Sequence, residues 1–149
     1  MQNNEVSRKT RQKYLYNGIH FDSGLELAYY IWLTDRGLKF KYNSSNGIPY
    51  VFNGKTHVYM RDFEIFNDDG TTTSIELKGA HFFDDNGKMI CPYRNADWTD
   101  KQYSEICALY EAKHQCMLDN DIVILRDDSD EIKQCYDYID CTYGKDYIS

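Results

Sequence analysis

The stretch Val58-Tyr59-Met60-Arg61-Asp62-Phe63-Glu64-Ile65-Phe66, the turn Asn67-Asp68-Asp69-Gly70 and the run Thr71-Thr72-Thr73-Ser74-Ile75-Glu76-Leu77-Lys78-Gly79 decide how this chain reads. β-Branched and aromatic residues alternate there with polar ones, the pattern of half-buried strands. Just upstream, Asn53-Gly54 is a strong two-residue hairpin signal. Residues 49–52 and 56–66 are therefore expected to pair, with 71–78 as the third strand of one meander. On such a strand Glu76 and Lys78, two positions apart, point to the same face. Asp62 lies on the strand beside them.

Working outward, 13–21 reads as an extended piece with a turn at Asn17-Gly18. Ser23 followed three residues later by Glu26 is a capping-box signature for a helix running to Arg36-Gly37. That helix is apolar almost all round, so it belongs in the interior. Residues 39–42 look like a strand edge. Residues 79–98 fit either a second hairpin or an irregular flap. Thr99 caps a helix over 100–118, with Tyr103, Ile106, Cys107, Tyr110, His114 and Met117 at helical spacing. Residues 121–126 form a strand. Ser129 caps a last helix with Ile132, Cys135, Tyr136 and Ile139 on one stripe. The expected class is α/β: a mixed central β-sheet flanked by helices, in a single domain spanning 1–149.

Composition narrows the classes. A chain of 149 residues is long enough to bury a core. No window approaches the ~18 apolar residues of a membrane span, and the polar N-terminus lacks a secretory h-region. The expectation is a cytoplasmic protein. Its five cysteines include no C-x-x-C pair, which points to reduced, mostly buried thiols. His114-x-Cys116 offers two metal ligands without a second pair. The net charge of −7 is unevenly spread: residues 1–64 carry nine Lys and Arg against six Asp and Glu, and residues 65–149 carry eight against eighteen. Phosphate contact is expected on the first half, above all on a basic arm over 1–12 and its edge, with Arg8, Lys9, Arg11 and Lys13. A solvated terminus is the plain alternative.

Phosphodiester hydrolysis needs an activated water and positive charge where the transition state gathers negative charge. Mg²⁺ (or Mn²⁺) supplies both and prefers one or two carboxylates with further oxygens. Asp62 and Glu76 are candidate ligands, the Leu77 carbonyl a third oxygen, and Lys78 a group to orient water or offset charge. Glu26, buried on a helix, needs a partner, a proton or a metal; pairing with Ser23 is its structural alternative. These residues, in this order, resemble the PD-(D/E)xK or restriction-endonuclease-like nucleases. Arg61-Asp62 stands where the signature has Pro-Asp, and Glu76-Leu77-Lys78 where it has (D/E)-x-K. Residues 18–26 resemble the segment leading into the first helix of phage-encoded and TnsA-like endonucleases and of Holliday junction resolvases. The resemblance covers roughly 14–126. It implies a mixed sheet, metal dependence and DNA cleavage leaving a 5′-phosphate, with Glu26 on the helix that often carries an acid.

Arg61, His81 and Gln102 are further candidates for touching substrate. Gln102 has an alternative as the capping-box partner of Thr99. His57 shares the expected strand with Asp62 at an odd offset, which puts it on the other face unless a bulge intervenes. The expected activity is a DNA endonuclease, structure-selective, acting as a homodimer if it cuts both strands. An exonuclease or resolvase on the same core is not separable at this level. The Asn-, Lys- and Tyr-rich composition suggests an AT-rich source such as a phage, whose protein would work in host cytoplasm. The competing expectation is an inactive nuclease-fold module that binds a protein or nucleic acid.

Overall fold

Turn chemistry sets the first layer of the structure. The computed structural model describes residues 6–10 and 13–148, the segment 7–10 as backbone only. Within the expected basic arm, Ser7–Thr10 forms a strand, β1, antiparallel to β2 (Lys13–Tyr16). β2 turns into β3 (Ile19–Phe21) through Asn17 and Gly18, whose φ of 52° and 74° are what a two-residue hairpin of this hand demands. Ser23 then caps α1 (Gly24–Asp35) by accepting the Glu26 N–H at 3.2 Å. Leu27, Ala28, Tyr29, Ile31 and Leu33 of α1 are buried, so the helix is central, as its composition requires.

The main sheet has the order β4 (Lys39–Tyr42), β7 (Phe63–Phe66), β8 (Thr72–Lys78), β9 (Val123–Arg126). β4–β7 and β7–β8 are antiparallel and β8–β9 is parallel, so the sheet is mixed. Parallel pairing needs a long crossover; residues 79–122 supply it, including α2 (Asp100–Asp119). The chain ends on α3 (Asp130–Tyr143), which packs against α1. Phe63, Ile75, Leu77 and Leu125 project from the sheet into a core shared with α1 and α3. On the opposite face Ile124 meets Tyr59, Met117, Ile122 and Phe83. The chain is thus an α/β protein, with helices on both faces of a mixed sheet.

One expected element divides. The strand over 56–66 breaks at Arg61-Asp62. Its first part, β6 (Lys55–Met60), pairs only with β5 (Gly47–Phe52), in a separate two-stranded ribbon about Asn53-Gly54. The second part, β7, belongs to the main sheet. The expected three-strand meander is therefore a ribbon followed by a β7–β8 hairpin. Two contacts hold the break: the Asn43 N–H donates to the Asp62 carbonyl at 2.9 Å, and Arg61 donates to the Asn46 carbonyl. Residues 79–98 are mostly irregular, with a short 3₁₀ turn at Ala80–Phe82 and a single bridge between Phe83 and Met89. Cys91, Cys116 and Cys135 are buried free thiols, Cys107 is half-buried and Cys141 is exposed.

Phe63 is fully buried, with ring centroids 5.1 Å from both Tyr29 and Tyr42. Phe63→Ala should cost about 3–5 kcal/mol in urea unfolding. Val51→Ser, at 70 % exposure on the ribbon, should stay within about 0.5 kcal/mol.

Candidate functional site

β8 outruns its neighbour. Phe63 opposes Ile75, and beyond that pair β7 has no further strand residue, whereas β8 continues to Lys78. On its other side β8 is bordered by β9 as far as Lys78–Arg126. The Leu77 N–H thus meets no strand on the β7 side, and the Asp62 carboxylate accepts it at 2.8 Å. The N–H and C=O of one strand residue face the same edge, so the Leu77 carbonyl is directed to the side where Asp62 sits. Ile75 and Leu77 enter the core, so Ser74, Glu76 and Lys78 occupy the opposite face.

Glu76 is only 4 % exposed and accepts a hydrogen bond from the Tyr59 hydroxyl at 2.7 Å. Burial pushes the Asp62 carboxyl up to about 7, and the charge of Glu76 adds to the rise; the Leu77 N–H opposes it. Burial also raises Glu76, against the Tyr59 hydrogen bond and the positive charges of Lys113 and Lys78. Two neighbouring carboxylates removed from water are costly to ionise together, so burial and their mutual repulsion favour the protonated form of Asp62. Lys78 stands 4.3 Å above the Phe82 ring. Burial, then the neighbouring charge of Lys113, lowers its ammonium pKa, while Glu76, Asp62 and Glu26 hold it up.

The geometry therefore brings Asp62, Glu76 and Lys78 together. Glu26 stands within electrostatic reach of Asp62, but its carboxylate is engaged: it accepts from the Tyr42 hydroxyl. Burial raises the Glu26 pKa and the Tyr42 bond opposes the rise. The half of the capping box made by the Ser23 side chain is present, and the Glu26 carboxylate turns to Tyr42.

The other sequence candidates are tied elsewhere. Lys13 faces Asp22 at 3.5 Å on the surface. Arg11 and the side chains of Arg8 and Lys9 lie outside the described residues. Arg61 donates through Nε to Ser74 Oγ at 2.8 Å and bonds Asn46, so its fork braces the break between β6 and β7. His81 is exposed, with Nε2 2.9 Å from the Tyr93 hydroxyl. Gln102 completes the capping box with Thr99, through bonds of 2.9 and 3.1 Å. His57 stacks on Tyr50 in the ribbon; the break at 61–62 removes the premise of the strand-parity argument that compared it with Asp62.

Sequence reasoning passed over Tyr59, Tyr42 and Lys113. Lys113 has a legible signal: it follows Ile106 by seven residues and Tyr110 by three, so it is a charge set into the apolar stripe of α2. The tyrosines carried none, because their hydroxyl partners come from other strands and from α1.

Mg²⁺ is content with one or two carboxylates, a carbonyl and water. Asp62, Glu76 and the Leu77 carbonyl are an all-oxygen set of that kind, and a cation there would relieve the repulsion between the two carboxylates. No cluster of three or more His, Cys, Asp and Glu residues able to cage a metal occurs among the described residues. His114 and Cys116 gather no further ligands there; His114 Nδ1 instead accepts the Met89 N–H at 3.3 Å. Among the described residues no helix is long and apolar enough to cross a membrane. The chain matches no family model, and neither curated proteins nor solved structures show a significant match to it.

Proposed function

We propose that the protein is a Mg²⁺-dependent DNA endonuclease, a phosphodiester hydrolase working at the end of β8. The observation that carries this reading is the placement of Asp62, bonded to the Leu77 N–H at the end of β8, beside the buried Glu76, with Lys78 on the same strand face as Glu76. In its favour, the donor set is all oxygen, and the cationic groups Lys78 and Lys113 border the carboxylates. When bound, Mg²⁺ or Mn²⁺ would activate water and offset phosphate charge. Asp62 and Glu76 would hold that ion. Tyr59 fixes the Glu76 carboxylate by donating to it. Lys78, on a strand rather than a mobile loop, presents its ammonium to water or to a phosphate oxygen. Glu26, held by Tyr42, serves the outer edge of the site.

The direct test incubates wild-type protein with supercoiled plasmid, linear duplex and a four-way junction, in Mg²⁺ or EDTA. Cutting should require the metal. Asp62→Ala and Lys78→Ala should each lose about 10²-fold or more in rate. Clean wild-type protein that cuts none of these substrates would replace this reading with the inactive binding module.

A second prediction needs no activity. The Asp62 pKa in the folded protein lies above its unfolded value of 3.8, so its contribution to stability is fully present below that value and is lost as pH rises from there through about 7. The melting temperature of metal-free protein should fall across that window, and less in Asp62→Asn. Because a cation would bind the ionised carboxylates in competition with protons, millimolar Mg²⁺ should raise the melting temperature at pH 8 far more than at pH 5. Equal Mg²⁺ shifts in wild type and Asp62→Asn would place the ion elsewhere.

A further inference from the structure

Residues 36–61 contain no Asp or Glu, yet carry Arg36, Lys39, Lys41, Lys55 and Arg61. The remaining positions carry twelve Lys and Arg against twenty-four Asp and Glu. This acid-free stretch is β4, β5, β6 and their connections. β4 is an edge strand, bonded to β7 alone. Along its open side runs a groove of about 810 Å³ whose lining includes His20, Lys39, Lys41, Tyr30, Phe40 and Phe66, and no carboxylate residue. In a chain of net charge −7, that lining is complementary to a polyanion. Lys39 and Lys41 are exposed and form no ion pair among the described residues. Nearby acids are occupied: Asp35 accepts from Tyr138 and Tyr143, Asp22 faces Lys13, and Glu64 is buried and accepts from Ser44.

The groove borders the candidate site through Tyr42 and Asn43, which are part of its lining. The Tyr42 hydroxyl is bonded to Glu26, and the Asn43 N–H to the Asp62 carbonyl.

We infer that this groove binds an unpaired DNA strand and feeds it to the Asp62–Glu76 end of the sheet. The choice of DNA rests on the nuclease reading. Lysines for phosphates, with Phe66 paired opposite Lys39 and Tyr30 and Phe40 also in the lining for unstacked bases, make a single-strand platform; in a duplex the bases are not free to lie on rings. Lysines on an edge strand also discourage pairing with a second copy, which fits an open groove rather than a dimer seam.

The test uses full-length protein in EDTA, so that cleavage plays no part. Fluorescence anisotropy measures binding of a labelled oligo(dT) of about 12 nucleotides, a length within the usual single-strand site sizes, and of a duplex of equal length. Lys39→Glu/Lys41→Glu is compared with Lys133→Glu/Lys145→Glu, an equal charge change on and beyond α3. The groove variant should lose about tenfold or more in oligo(dT) affinity, and its salt slope should fall by about 1.4, the value for two single-strand phosphate contacts. The control variant should change little. No oligo(dT) binding at low salt, equal losses in both variants, tighter binding of duplex than of oligo(dT), or a dimer that dissociates in the groove variant would each overturn the inference. Plasmid cutting without oligo(dT) binding would sink the groove and spare the nuclease. Groove-dependent binding without metal-dependent cutting would do the reverse.

Discussion

One backbone N–H, that of Leu77, sits where the fold and the candidate chemistry meet. β8 extends past the start of β7, and a buried strand cannot leave a donor unpaired without cost. Asp62 answers it with a carboxylate oxygen. That requirement draws an acid into the interior, beside Glu76, which strand alternation has already placed there. The position of Asp62 follows from the break in the chain at Arg61-Asp62, and that of Glu76 from the alternation of β8. The core prevents any other solution. Phe63, Ile75, Leu77 and Leu125 share one face of the sheet, and a one-residue slip of β8 would exchange Leu77 for Lys78 on the core side. Packing on one face thus fixes the geometry on the other.

Local chemistry was legible where it was decided locally. The turns at Asn17-Gly18 and Asn53-Gly54, the caps Ser23, Thr99 and Ser129, and the shared face of Glu76 and Lys78 depend on neighbours a few residues away. The break at 61–62 did not announce itself, because Tyr59, Phe63 and Ile65 keep the alternation across it. What divides the strand is distant: Asn43 and Asn46 hold the departing backbone, and α2 draws β5 and β6 onto its own surface. Lys113 was missed for a related reason. Its meaning depends on which face of α2 covers the sheet, which periodicity suggests and only packing fixes.

The chain also shows how an acidic protein satisfies its carboxylates, from the buried Glu76 to the exposed Asp35, with few bases to spare. Its tyrosines serve as the donors. Tyr59 bonds Glu76, Tyr42 bonds Glu26, Tyr29 bonds Glu131 at 3.4 Å, and Tyr138 and Tyr143 converge on Asp35 at 2.6 and 2.5 Å. A phenol satisfies a carboxylate without adding a charge that must itself be desolvated. Burial and the adjoining carboxylates raise the pKa of Tyr29, Tyr42 and Tyr59 well above the ordinary value, so all three remain donors at any physiological pH. Against that habit, the two lysines beside Glu76 stand apart.

The same habit ranks the acids of the site. Glu26 and Glu76 each have a tyrosine hydroxyl. Asp62 has none among the described hydrogen bonds; the Leu77 N–H and the charge of Lys78 stand against its burial and the like charge of Glu76, which together raise its pKa to about 7. On the nuclease reading, a cation at the end of β8 would bind there against the proton, because it would relieve the repulsion between Asp62 and Glu76. Glu26 offers no such gain, since Tyr42 already meets its need. On the nuclease reading, Asp62 is the ligand that sets the pH dependence of metal binding, Glu76 the ligand held ready for it by Tyr59, and Glu26 an outlying acid whose contribution is to field and position.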